Sequence, residues 1–399
     1  MTSKTKRDIF FVGAARAAIG AFGGALKDVP LTQLATETVR AALQRSGAEP
    51  ATVGHLVMGN VIPTDVRDAY LSRVAAVNAG VPQETPAMNV NRLCGSGLQA
   101  IVSAAQTLML GDCDVAIGAG AESMSRAPYL MPSARWGGRM GDMTATDYML
   151  GVLHDPFHRI HMGITAENVA TRDGITREMQ DQLAWESQQR AGRAIAEGRF
   201  KSQIVPIELP VRSGTISFEV DEHVRPEVTL DQLAKMKPSF RRDSSGTVTA
   251  GNSSGINDGA AALVMASEDG VRRGNLKPLA RLVSYAHAAL DPKIMGLGPV
   301  PASRLALKRA GLASRDLDVI ESNEAFAAQA CAVTRALGLD PAKVNPNGSG
   351  ISLGHPVGAT GVVITIKAIY ELHRVSGRYA LVTMCIGGGQ GIAAVLERT

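Results

Sequence analysis

Apolar positions along this chain alternate between short unbroken runs and stripes at helical spacing. Asp8 to Val12 is a short apolar run and predicts a strand. Leu31, Leu34, Ala35, Thr38, Ala42 and Leu43 fall on one helical face, and Gly47 closes that helix. His55 to Val61 predicts a strand, Tyr70 to Ala79 a helix, and Ala87 to Asn91 a buried strand. A helix of small residues follows from Gly95 to about Leu110, then an apolar strand from Asp114 to Gly120. Strands and helices alternating at these lengths predict an α/β architecture with mostly buried sheets.

Between about Ser123 and Thr249 the alternation lapses. The segment is richer in Met, Arg, Asp and His, and its pattern supports one long polar helix, about Arg177 to Gly198. It reads as a loop-rich insertion over a core unit. Regular alternation resumes near Asn257, and the last third resembles the first. Ala42-Leu43-Gln44-Arg45-Ser46-Gly47 matches Ala306-Leu307-Lys308-Arg309-Ala310-Gly311, and without a gap Val53, Leu56 and Val57 face Leu317, Ile320 and Glu321. Each copy then has a Gly-rich turn into a helix, Gly95-Ser96-Gly97 and Gly358-Ala359-Thr360-Gly361, followed by an apolar strand. The expected organisation is a first core unit over residues 1–122, completed by about 255–275, an inserted domain over 123–254, and a second core unit over 276–399. Two similar units would pack as a pseudo-twofold core with the active site where their loops meet.

Composition narrows the function. At 399 residues the chain exceeds one ordinary core. A net charge of +4, with both signs mixed throughout, gives no case for nucleic acid. The four cysteines, Cys94, Cys113, Cys331 and Cys385, form no CxxC pair, which argues against a zinc knuckle and for a reducing compartment. No stretch reads as a membrane span, and Met1 to Gly13 lacks the long apolar region of a secretory signal. The cytoplasm is therefore the expected location.

Several residues stand where chemistry is possible. Cys94 lies in Asn91-Arg92-Leu93-Cys94-Gly95-Ser96-Gly97, after a strand and before a helix. A thiol there faces the helix N-terminus and free N–H groups, which favour the nucleophilic thiolate. A buried structural cysteine fits the local sequence equally well. The stretch from Gly95 also fits a dinucleotide fingerprint, but it follows the third strand instead of the first and a cysteine occupies its turn. His355 is held between Gly354 and Pro356, which suits a general base, although a lone turn histidine is more often structural. Cys385 ends a strand before Ile386-Gly387-Gly388-Gly389, whose N–H groups could form an oxyanion hole. Asn323 follows the strand Asp318 to Ser322 and suits either an oxyanion donor or a helix N-cap. His154, His158 and His161 cluster, but no carboxylate or cysteine completes a metal set.

Together these segments are more specific than any one of them. Asn91 to Gly97, His161-Met162-Gly163-Ile164-Thr165-Ala166-Glu167-Asn168, Asn323-Glu324-Ala325-Phe326, Gly354 to Gly361 and Cys385 to Gly391 resemble the thiolase family, in that family's order, across essentially the whole chain. Asp155 to His161 and Asn345 to Gly350 bring it nearest to bacterial β-ketothiolases, also called acetyl-CoA acetyltransferases. The resemblance implies the thiolase fold, duplicated βαβαβαββ units stacked as a five-layer αβαβα sandwich with an inserted loop domain. It implies reversible condensation of acetyl-CoA with a short acyl-CoA, and thiolysis of short β-ketoacyl-CoA, with coenzyme A thioesters as substrates and no cofactor. Cys94 would carry the acyl group, His355 would take its proton, and Cys385 would act as acid and base. The N–H groups of Cys94 and Gly387 would hold the acyl-enzyme oxygen, and His355 with Asn323, through a water, the enolate oxygen. Leu153, His161, Met162, Arg225, Ala250, Ser254, Met295, Ala325 and Phe326 would meet coenzyme A or the acyl chain. Gln232 departs from relatives that carry Ser there. The family also implies a homotetramer of tight dimers, with part of Arg126 to Asp147 in the tetramer contact.

Overall fold

The computed structural model describes residues 7–212 and 214–399. Residues 1–6, the basic start of the segment weighed as a signal, lie outside the described residues. In the first half, strand β1 (Ile9–Arg16) leads to helix α1 (Leu31–Ser46), β2 (Val53–Gly59), α2 (Leu71–Asn78), β3 (Ala87–Val90), α3 (Ser96–Leu110) and β4 (Val115–Ser123). The chain then leaves the sheet and returns with β5 (Asn257–Ser267). The excursion contains α4 (Met162–Asp173), the long polar α5 (Arg177–Ala196), shorter helices and a β-hairpin (Ile207–Val211 and Gly214–Phe218). It is therefore more helical than its irregular pattern predicts. The second half runs β6 (Ala280–Ala289), α6 (Pro299–Ala310), β7 (Val319–Ser322), α7 (Ala327–Leu337), α8 (Thr360–Arg374), β8 (Tyr379–Ile386) and β9 (Gln390–Arg398).

The strands line up in the order β7-β8-β9-β6-β1-β5-β4-β2-β3. This is one half-sheet followed by its counterpart, joined where β1 meets β6 through Phe10–Arg281 and Phe11–Ala280. The duplication extends to detail. In each half the first strand bulges against its neighbour, between Phe11 and Gly13 and between Leu282 and Ser284. The equivalent helices α1 and α6 both close on a left-handed glycine, Gly47 (φ 69°) and Gly311 (φ 69°), where a side chain would be strained. Beyond β7, a parallel bridge from Ile320 to Val344 stands where β3 stands in the first half.

Helices α3 and α8 pack together between the half-sheets, and their residues share one core with Ile9, Phe11, Val382 and Ile392. Helices α1 and α2 cover the outer face of the first half-sheet, and α6 that of the second. These are the five layers of the expected thiolase fold. The central pair approaches at glycine: a Cβ on Gly361 would stand 2.2 Å from the Leu98 nitrogen. Any larger residue would push the two helices, and the turns that precede them, apart.

Two expectations need correction. Ala87–Val90 is not a buried strand but the sheet's edge, half-buried to exposed along its length. Leu93–Leu110 is long and apolar enough by composition to cross a membrane. Its apolar character comes instead from α3 being enclosed on several sides as a core helix. The excursion is tied down at a buried ion pair, where Arg16 at the end of β1 reaches Asp221 through two hydrogen bonds of 2.8 and 2.9 Å.

Candidate active site

The turn into α3 presents Cys94. Leu93 has φ 47°, a conformation a branched side chain adopts at a cost of about 1–2 kcal/mol. Local hydrogen bonds hold it there. Ser96 Oγ donates to Leu93 O and accepts from Arg92 N–H, while Asn91 Oδ1 accepts from Leu93 N–H. The strained residue turns the next one, Cys94, into a cavity. The backbone N–H groups of Gly387, from the turn after β8, and of Cys94 itself lie where they favour its thiolate. Backbone dipoles from opposite halves thus face one sulfur.

His355 stands before α8, at the place in the second half that Cys94 holds before α3 in the first. Its N–H donates to Asn257 Oδ1 at 3.0 Å. Gly354 is required beside it: φ is 105°, and a Cβ would sit 2.4 Å from the Asn257 side chain. Nδ1 lies 2.7 Å from Thr360 Oγ1, and that hydroxyl donates to Pro356 O. The hydroxyl's proton is committed, so Nδ1 carries the ring proton and Nε2 is the free base. Asn323 Nδ2 approaches Nε2 at 3.4 Å. Asn323 is not the N-cap of α7, which begins at Ala327 behind Phe326. Its amide is left for the site.

Burial governs every titrating group here. It pushes Cys94 up to about 11, against the opposing pull of the Gly387 and Cys94 N–H groups. The expectation of a ready thiolate at the helix N-terminus is therefore corrected: desolvation outweighs the local donors. Burial also holds His355 down at about 4 and raises Cys385, which the nearby Cys94 sulfur raises further. The resting site is thus uncharged, a thiol beside a neutral imidazole, with a second thiol fully buried in the strand behind.

These groups open on a cavity of about 420 Å³, within the usual range for small-molecule sites. Cys94, His355, Gly387, Leu153, His161, Met162, Ala250, Ser254, Met295, Ala325 and Phe326 all line it. Cys385 and Asn323 lie just behind this lining. Cys385 packs in one cluster with Met162, Met295, Ala325 and Phe326. Among the described residues no carboxylate, lysine or arginine lines the cavity. His161 is held down at about 4 by burial and by His154, so the wall is neutral as well as apolar.

Arg225 is the exception among the expected contacts. It does not line the cavity. Its guanidinium turns back onto the carbonyls of Glu222 and Val224, and its N–H donates to Gln188. Gln232 is likewise occupied, capping a short helix by accepting from Thr229 N–H. Sequence reasoning missed His223, Leu93 and Phe240. Phe240 stacks on His161 at 4.6 Å and meets Phe326 edge-on at 6.1 Å. The only signal for it was an aromatic residue in an irregular, polar stretch.

Family models bracket the chain. The model described as Thiolase, N-terminal domain, matches residues 9–269, and that described as Thiolase, C-terminal domain, matches residues 276–398. The chain is 65% identical to beta-ketothiolase BktB of Cupriavidus necator, over 98% of this chain and 99% of that protein. It is 47% identical to an acetyl-CoA acetyltransferase of the same organism, over 98% and 99%. The crystal structure of human mitochondrial 3-ketoacyl-CoA thiolase in complex with CoA superposes with a TM-score of 0.95 at 46% identity, covering 98% of each chain.

Proposed function

The chain belongs to the thiolase family and is an acyltransferase of that family's reversible Claisen chemistry; we propose that Cys94 is the residue that carries the acyl group. In thiolysis, Cys94 gives its proton to His355 Nε2 and its sulfur attacks the β-keto carbonyl. The bond between the α- and β-carbons breaks, and the electron pair passes to an enolate. The His355 imidazolium, and Asn323 through a water, hold the enolate oxygen. Cys385 protonates the α-carbon, which releases acetyl-CoA. Coenzyme A then enters, gives its thiol proton to the Cys385 thiolate and attacks the acyl-cysteine. The shortened acyl-CoA leaves, and His355 returns its proton to Cys94. Condensation is the same path reversed.

The convergence of Cys94, Gly387 N–H and the His355 ring in one cavity, with Cys385 behind them, supports this reading more than any single residue does. Burial supports the division of roles. A thiol at about 11 beside a base at about 4 exchanges a proton only when a substrate stabilises the product, so reaction follows binding. The test is mass spectrometry after mixing with acetyl-CoA. One acetyl group should appear on Cys94, and an acetyl group on a Cys94→Ala variant would overturn the assignment.

Acetyl-CoA and short acyl-CoA or β-ketoacyl-CoA are the proposed substrates. The neutral, apolar wall fits the pantetheine arm and a short chain, with the phosphates left outside. Met295 borders the space the acyl chain would fill. A rate series over β-ketoacyl chain length, falling beyond one or two carbons past acetoacetyl, would support this limit. The proposed assembly is a homotetramer, a dimer of dimers. The half-covered edge strand β3 supports one contact. Exposed Tyr129, Leu130, Met131, Trp136 and Met140 support another. The four unpaired thiols fit the cytoplasm.

A further inference from the structure

Behind the catalytic amide lies a second, smaller space. Ile19, Leu353, Val363 and Ile364 give it a mostly apolar wall, and Asn323, Ser349 and Lys367 also border it; the void is about 10 Å³, close to the least that holds one water. Gly350, Gly354 and Thr360 complete the polar side of the lining. All of these residues are buried. Two of their polar atoms, Asn323 Oδ1 and Ser349 Oγ, have no hydrogen-bond partner. Asn323 Oδ1 is directed at this wall, since a Cβ on Gly350 would stand 2.8 Å from it.

Lys367 is the group that could serve that oxygen. It projects from the middle of α8 and is 1% exposed. Its ammonium has three protons, and two acceptors hold it: Glu321 Oε2 at 2.7 Å and the Gly348 carbonyl. These two acceptors leave a third proton, and Lys367 borders the void. An internal water there would accept from Lys367, donate to Asn323 Oδ1 and exchange a bond with Ser349. Three partners are typical of a buried water.

We infer that Lys367 is a positioning residue: through one internal water it fixes the carbonyl side of the Asn323 amide, so that the N–H side faces His355 and the enolate. The amide has two orientations of equal shape. In the wrong one its oxygen would face Nε2, acceptor against acceptor, and the enolate would keep only the His355 imidazolium as donor. A cation behind the oxygen disfavours that orientation. It also polarises the amide, which makes Nδ2–H the better donor. Lys367 touches no substrate, so its effect appears only where Asn323 acts, in carbon–carbon bond making and breaking.

The inference rests on the role proposed for Asn323, and the experiment separates the two. The charge-neutral double variant Lys367→Met/Glu321→Gln removes the buried pair without stranding either charge. Its kcat for acetoacetyl-CoA thiolysis should fall about ten- to a hundredfold, with KM and the acetylation of Cys94 by acetyl-CoA little changed. In an Asn323→Ala background the same double variant should cost nothing further, the mark of a residue acting through another. Ser349→Ala, which leaves the ion pair intact, should show a smaller loss of the same kind, also absent in the Asn323→Ala background. It carries the test if the double variant does not fold. Losses that add to that of Asn323→Ala, or no loss at all, overturn the inference. An Asn323→Ala enzyme with full activity would instead overturn the role of Asn323.

Discussion

The two halves of the molecule share a topology and differ most at one link. Between β4 and β5 the first half inserts residues 124–256, whereas the equivalent strands β8 and β9 are joined by Gly387, Gly388 and Gly389 alone. The insert supplies His161, Met162, Phe240 and Ala250, which form walls. The tight turn supplies a backbone N–H to Cys94, and its strand supplies Cys385. Before the central helices the halves differ in another way: the first carries Cys94, the proposed nucleophile, and the second His355, the proposed base. On that reading a duplicated scaffold has divided its labour. The proposed chemistry sits on short turns at the ends of core elements, where packing leaves no play. The proposed binding walls sit on the long excursion, which can vary without moving the reacting atoms.

The first way to break this comparison is to exchange the two sulfurs' losses. Cys94→Ala should abolish both half-reactions, a fall of about 10⁴ or more, and leave no acetyl-enzyme by mass spectrometry. Cys385→Ala should reduce thiolysis and condensation by about 10³, while Cys94 still takes an acetyl group from acetyl-CoA, more slowly because the departing CoA thiolate has lost its proton donor. If Cys385→Ala left both steps at full rate, the second half would not supply the proton transfer.

Much of this was legible before any coordinates. The run to Val12, the stripe from Leu31 to Leu43 and the Gly47 stop are local signals, and the helix and strands formed where they fell. The duplicate was legible because Ala306 to Gly311 repeats the pattern of Ala42 to Gly47. What failed depends on distant neighbours. Ala87–Val90 is apolar whether or not another strand lies beyond it, so its edge position could not be read. The thiol of Cys94 looked activated because local sequence records the helix after it. The clusters that pack against it include Val357 and Ile386, from far along the chain. Phe240 and His223 have no periodic pattern to betray them, and Arg225 was expected in the cavity with no means of knowing which carbonyls would claim it.

Acidity gives a milder break. His355 and His161 are both held at about 4, below the ordinary 6.5, because burial disfavours the charged ring. The unfolded chain therefore binds these protons more readily. Their contribution to stability is complete above pH 6.5 and is lost as the pH falls through the window down to about 4. The melting temperature should decline across that window, and less so in His161→Asn. Since His355 stays neutral throughout it, the acid limb of kcat/KM should lie well below 6.5. A limb at 6.5 would show that the base is solvated in the working enzyme.

The smallest effects should come from the insert, and they sharpen the division. Phe240→Ala removes the ring stacked on His161 and should raise KM for the acyl-CoA about tenfold with kcat nearly intact. Arg225→Ala should do less, about threefold or under in KM, because its guanidinium already serves the carbonyls of Glu222 and Val224 and stands outside the cavity lining. Both effects should weaken when coenzyme A is replaced by a truncated pantetheine thioester that lacks the nucleotide, but to different degrees. Phe240 packs where the arm would run, so its loss should still be felt. Arg225 could act only on phosphates beyond the mouth, so its effect should vanish. A fall in kcat for either variant would place part of the chemistry on the excursion, and the two halves would no longer differ in kind.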